Sequence, residues 1–209
     1  MRPLDLLRAY AMGIFPMADD RNSDEIFWIN PTERGIIPLD GLHVSRSLAR
    51  DFIKREFGVR TDTCFSDVVA GCADRPETWI NAEIYDLYGE LHKLGYAHSV
   101  EIFQDGQLVG GVYGVSIAGA FFGESMFSRI PSASKYALVA LVARLRAGGY
   151  RLLDTQFVTP HLITMGAIEI SREDYHRKLA NALQTPAEFD RLPADTPRQV
   201  LLQLTTQTS

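Results

Sequence analysis

The sharpest change of rhythm along this 209-residue chain falls near residue 97, where apolar positions pass from helical spacing to alternation. Before it, Pro3 to Met12 mixes apolar and charged residues as a short helix does and stops at Gly13. Gly13 to Met17 reads as a tight connection, because Pro16 forbids a continuing helix. Phe27-Trp28-Ile29 reads as a short strand closed by Asn30-Pro31. Ser45 to Arg55 predicts a helix with Ser45 as its N-cap. Cys64 to Ala73 and Asn81 to Leu94 predict two more, the second ended by Gly95.

Then the period becomes two. Ser99, Val100, Glu101 and Ile102 alternate polar with apolar, and Asp105-Gly106 is a strong hairpin signal. Leu108 to Val115 supplies the partner strand, Ala118-Gly119 a second turn and Ala120 to Phe122 a third strand, an antiparallel meander. Ala137, Leu138, Leu141, Val142 and Leu145 return to helical spacing over Ala133 to Ala147, until Gly148-Gly149. Arg151 to Asp154 reads as a short strand, with helices near Pro160 to Met165 and Ser171 to Leu183. The polar tail from Pro193 carries no assignable pattern. Three strands, helix, strand, helix suits an α+β acyltransferase domain with the N-terminal helices packed beside it.

Composition narrows the function classes. Hydrophobic residues make up 46% and charged residues 22%, the balance of an ordinary soluble globular protein. A net charge of -5 excludes coating nucleic acid by bulk charge, so any RNA contact needs a local basic patch. One candidate exists. Arg46, Arg50 and Lys54 are spaced four apart on one helix face, with Arg55 beside them. They form either a phosphate-backbone contact or a solvated face diluted by Asp51 and Glu56. Cys64 and Cys72 are too few for a disulfide framework, which fits reduced thiols in the cytoplasm. The N-terminus is charged through Arg8, unlike a signal peptide. Leu108 to Gly123, the most apolar stretch, is broken by five glycines and a serine, so no membrane role is expected. The five histidines lack metal-ligand spacing, and no phosphate-cradling or dinucleotide loop occurs. No helix follows Ser116 as a nucleophile elbow requires, so it reads as a strand serine.

Two stretches carry candidate chemistry. Glu124 follows Phe121-Phe122-Gly123 and precedes Ser125-Met126-Phe127, and a carboxylate in such surroundings needs a partner. An ion pair with Arg129 or a helix cap would supply one; a functional role is the other reading. In Leu152-Leu153-Asp154-Thr155-Gln156 the acid and the amide share a face if the strand continues. There the competing reading is a strand-end turn, where Asp is common.

With these residues in view, the chain resembles the bacterial leucyl/phenylalanyl-tRNA–protein transferases over almost its whole length. Matching blocks include Tyr10 with Gly13-Ile14-Phe15-Pro16, Trp28 with Asn30-Pro31 and Arg34, Leu42 to Leu48, and Thr78-Trp79-Ile80. They continue with Ala97 to Glu101, Leu108 to Gly114, Gly123 to Arg129, Ala133-Ser134-Lys135, and Asp154 with Gln156. The resemblance implies an N-acetyltransferase-like domain with a mixed sheet over residues 63–209, packed against a smaller, mostly helical segment over 1–62. It implies transfer of Leu or Phe, and less readily Met, from aminoacyl-tRNA to a protein beginning with Arg or Lys, which marks that protein for degradation. No cofactor is implied: Ser128 to Ala133 stands where N-acetyltransferases place a pyrophosphate loop. A monomer is expected. The aminoacyl and adenosine pocket is expected at Tyr10, Met17, Trp79, Val112, Phe121, Leu138, Leu141 and Leu153. Glu124, Asp154 and Gln156 match the residues associated with catalysis, with Asp154 expected to orient the Gln156 amide. Met17, Val112 and Thr159 stand where some relatives carry Trp, Met and Asn.

Overall fold

Alternating segments send successive side chains to opposite faces, so a sheet built from them needs a cover on each side. The computed structural model describes residues 2–23 and 25–206. In chain order the elements are α1 (Pro3–Ala11), β1 (Phe15–Ala18), β2 (Ile26–Ile29), β3 (Glu33–Ile36), α2 (Arg46–Lys54), β4 (Gly58–Thr61), α3 (Phe65–Ala73) and α4 (Ala82–Lys93). They continue with β5 (Ala97–Gln104), β6 (Gln107–Ile117), β7 (Ala120–Ser128), α5 (Ala133–Ala147), β8 (Leu152–Gln156), α6 (Pro160–Ile163), β9 (Ile168–Ser171), α7 (Arg172–Leu183) and α8 (Arg198–Thr206). Strands β1 and β2 pair with each other, and the other seven form one mixed sheet in the order β4-β5-β6-β7-β8-β3-β9.

The meander forms as its turns dictate. Asp105 and Gly106 both take positive φ, 51° and 76°, as the hairpin between β5 and β6 requires. Strands β7 and β8 run parallel, joined through α5. Of the 15 residues of α5, 12 are buried, so this helix is enclosed rather than amphipathic. Adjacent positions then divide between two cores. Val112, Phe121, Leu138 and Leu153 lie on the α5 side, while Tyr113, Phe122, Tyr88 and Tyr10 lie on the side covered by α1, α3 and α4. The Ser45 Oγ accepts the Leu48 N–H at 3.2 Å, which starts α2 as the sequence predicts.

Several short elements depart from the sequence reading. Phe15 to Ala18 extend as β1, with Pro16 opposite Trp28, so the expected tight connection shrinks to Gly13 and Ile14. A proline is tolerated there because a two-stranded pair is all edge. The first 62 residues hold two helices and four strands, not a mostly helical segment, and β3 and β4 both enter the large sheet. Strand β3 lies between β8 and β9, and its letters, Glu33-Arg34-Gly35-Ile36, show no alternation to betray it. Strand β7 runs on to Ser128, carrying Glu124 within it. The tail forms α8, which packs on α5 and α2. No described helix is long and apolar enough to cross a membrane.

Candidate active site

Two carboxyl groups meet where β7, β8 and β3 lie side by side. Asp154 on β8 is fully buried and faces Arg34 on β3, itself 1% exposed. Arg34 Nε donates to Asp154 Oδ1 at 3.0 Å and Nη2 to Oδ2 at 2.6 Å, a bidentate pair. The Tyr175 hydroxyl donates to Oδ2 at 2.7 Å, and the Gln156 main-chain N–H to Oδ1 at 2.8 Å. Those four bonds use the full acceptor capacity of the carboxylate. Arg34 also donates to the Gly13 carbonyl at 3.0 Å and stacks between the Phe15 and Tyr175 rings. Its guanidinium is raised above the ordinary value: burial lowers it, and the bonds and charge of Asp154 prevail. Burial and the Asp154 charge push the Tyr175 phenol upward.

Asp154 therefore holds Gln156 by its backbone. Gln156 sits at φ +63°, a conformation uncommon for a residue with a side chain. The Phe157 N–H donates back to the Thr155 carbonyl at 2.7 Å, closing a three-residue turn around it. Such local strain persists only where the surroundings impose it, here the Asp154 bond and the close-packed Gly35. A Cβ on Gly35 would lie 2.7 Å from the Phe157 carbonyl carbon and 2.8 Å from Thr155 Oγ1.

Glu124 lies in a different setting. Its Oε1 accepts from the Tyr10 hydroxyl at 2.7 Å and from Gln156 Nε2 at 3.1 Å, and its Oε2 from the Tyr88 hydroxyl at 2.7 Å. No cation lies within 4.0 Å of it among the described residues, so the ion pair with Arg129, one of the readings the sequence left open, is absent. Burial pushes Glu124 up to about 7, against the three donated bonds. Counting protons gives the same direction. The two tyrosine oxygens are also 2.5 Å apart, so the ring of Tyr10, Tyr88 and the carboxyl has three contacts needing hydrogens. Two phenol protons leave one contact bare; a proton on Glu124 fills all three. Because Glu124 takes the Gln156 amide nitrogen, the amide oxygen is the end left with open acceptor capacity.

Gln156 and Glu124 floor a cavity of about 880 Å³, whose lining includes Trp79, Arg75, Arg129, Lys135 and His161. A smaller apolar recess of about 80 Å³ adjoins it, walled by Val112, Met126, Leu138, Leu141, Leu153 and Leu162. Glu124, Thr155 and Leu162 line both spaces. Among the described residues no three His, Cys, Asp or Glu side chains cluster as metal ligands.

The family model described as leucyl/phenylalanyl-tRNA protein transferase matches residues 36–180, and the model of that family's N-terminal domain matches residues 2–32. The leucyl/phenylalanyl-tRNA–protein transferase of Ruegeria sp. (strain TM1040) is 58% identical over 204 residues, covering 98% of this chain and 97% of the relative. The protein of the same name from Paramagnetospirillum magneticum is 57% identical over 198 residues, covering 91% and 95%. The chain belongs to the leucyl/phenylalanyl-tRNA protein transferase family.

Within this family's architecture the expected site residues fall into distinct places. Val112, Leu138, Leu141 and Leu153 line the recess, and Trp79 lines the larger cavity. Tyr10 lies behind Glu124, one hydrogen bond away. Phe121 instead packs in the core near Tyr150 and Phe189, and Met17 lies on β1; neither lines these two spaces. Arg46, Arg50, Lys54 and Arg55 are all exposed on or just past α2, with Arg50 and Arg55 within 4 Å of Asp51. Sequence reasoning assigned no role to Arg34, Tyr88 or Tyr175, which hold the two carboxyls. One local signal exists for the tyrosines: each is an aromatic on the buried face of a recognisable helix. Arg34 has none.

Proposed function

We propose that this chain transfers leucine or phenylalanine, and less readily methionine, from aminoacyl-tRNA to the N-terminal Arg or Lys of acceptor proteins. The reading includes an N-acetyltransferase-like fold used without coenzyme A, action as a monomer in the cytoplasm, and marking of the acceptor for degradation. One observation carries it: an apolar recess opens beside a polar floor of Gln156 and Glu124, inside a cavity large enough for more than a side chain.

The donor side chain enters the recess, where burying a Leu contributes roughly 1.5–3 kcal/mol. The acceptor amine, with an unperturbed pKa near ~8, is partly neutral at neutral pH. It attacks the ester carbonyl; the carbon–nitrogen bond forms, the bond to the ribose oxygen breaks, and the amine's proton ends on that oxygen. The Gln156 amide oxygen accepts a hydrogen from the amine and so aims its lone pair. Asp154 holds the Gln156 backbone, and Glu124 holds its amide nitrogen. Positioning of this kind contributes roughly 7–11 kcal/mol. The recess of about 80 Å³ is about half the ~150 Å³ known to admit a benzene ring, which supports Leu ahead of Phe.

The test supplies labelled Leu-tRNA and Phe-tRNA with a peptide beginning with Arg. Label in the peptide, more from Leu than Phe and independent of acetyl-coenzyme A, is the expected result. No label with either donor would overturn the reading.

A further inference from the structure

The cavity is more basic than the reaction at its floor requires. Arg75, Arg129 and Lys135 all line it, and the one acidic residue among its walls is Glu124, buried at the bottom. None of the three cations lies within 4.0 Å of a carboxylate among the described residues. In a chain of net charge -5, three cavity cations without counter-ions leave a positive field that an anion would complete.

Their attachments differ. Arg75 is fixed on one wall, donating to the Cys72 carbonyl at 2.8 Å, Ser125 Oγ at 3.1 Å and the Met126 carbonyl at 3.2 Å. Arg129 makes one long hydrogen bond, 3.4 Å, to the Leu108 carbonyl and lies over the Phe127 ring, and Lys135 makes one of 3.5 Å to Thr164 Oγ1. Both retain donors for a ligand. Thr155 and His161 also line the cavity, although their Oγ1 and Nε2 atoms are buried and have no hydrogen-bond partner among the described residues. His161 is held below its ordinary value by burial and by Lys135, which keeps its imidazole neutral beside that cation. The end of α5 itself is not the attraction, because the Ser134 N–H is already taken by Ser128 Oγ at 3.1 Å.

Position supplies the chemistry of the anion. Lys135 lies in the first turn of α5, and its neighbour Tyr136 packs edge-on against Phe52 of α2. The first turn of α5, which carries Lys135, therefore packs near α2. We propose that Arg129 and Lys135 bind the phosphodiester leading into the terminal nucleoside of the donor, with Arg75 drawing the single strand across the facing wall. This rests on the donor being an aminoacyl-tRNA. It assigns the rim to the unpaired 3′ end and leaves α2 to the paired stem.

The experiment compares three leucine donors with one Arg-initiated peptide: full Leu-tRNA, leucine on a cytidyl-cytidyl-adenosine trinucleotide, and leucine on adenosine without phosphate. The measured quantity is the ratio of kcat/KM for trinucleotide over adenosine donor. In Arg129→Ala and Lys135→Ala this ratio falls about 10-fold, with a shallower salt dependence, and Lys135→Arg restores most of it. In Arg46→Ala/Arg50→Ala the ratio holds, while the ratio of tRNA to trinucleotide falls. An unchanged trinucleotide ratio in the rim variants overturns the proposal, as does a change confined to KM for the peptide, which would assign the cations to an acidic acceptor. Wild-type protein that transfers from none of the donors would instead defeat the transferase reading itself.

Discussion

Asp154 and Glu124 are two buried carboxyl groups of one site, both bonded to Gln156, and the fold treats them in opposite ways. Asp154 has a guanidinium in bidentate contact and four donated bonds. Glu124 has only neutral donors and an affinity for protons raised to near neutrality. The first arrangement holds a charge permanently and can grip a strained backbone. The second leaves charge uncertain near pH 7 and grips through an amide. One residue can thus be fixed from two sides, rigidly at its main chain and adjustably at its side chain.

The largest effect should come from breaking the permanent pair. Arg34→Met leaves Asp154 buried and unpaired, and its urea unfolding free energy should drop by about 3–5 kcal/mol, with transfer largely lost. A drop below about 1 kcal/mol would show Asp154 to be relieved by some other route. Next comes the pH dependence of Glu124, which burial raises from the ordinary 4.5 to about 7 in the folded protein. A carboxyl raised on folding contributes stability that is complete below pH 4.5 and is lost as pH rises through 7. Wild type should therefore lose about 3 kcal/mol relative to Glu124→Gln across that window, measured as paired unfolding curves at each pH. Parallel curves would show an unshifted carboxyl. Gly35→Ala pushes on the turn around Gln156 and should cost about 1–3 kcal/mol, with transfer reduced more than stability alone accounts for. Tyr88→Phe, the smallest change, removes one donor and should destabilise by about 1 kcal/mol.

The contrast extends to what could be read in the sequence. Helix α5, the β5–β6 hairpin and the N-cap at Ser45 announce themselves because their signals are local: a repeat, a turn pair, a hydroxyl before a helix. Glu124, Asp154 and Gln156 were visible as polar letters in apolar company and as a family pattern. Of their partners, Tyr10 and Arg34 stood in family-matching blocks with nothing to tie them to the carboxyls, and Tyr88 and Tyr175 carried no such mark. Arg34 lies 120 residues from Asp154, in Glu33-Arg34-Gly35-Ile36, which shows no alternation. The left-handed turn at Gln156 is imposed by contacts from Asp154 and Gly35, not by its own preference. Phe121 and Phe122 point to opposite sides of β7, and spacing alone could not say which core each enters.

Strand β3 sits between β8 and β9, so Arg34 is made well before the strand that carries its carboxylate, 120 residues further on. At about 5–20 residues per second, Arg34 waits on the order of 6–24 s before Asp154 is even synthesised. Until β8 is made, the guanidinium lacks its Asp154 partner and the turn around Gln156 does not exist. A chain made only as far as β7 therefore holds Arg34 without Asp154 and has no Gln156 to be held.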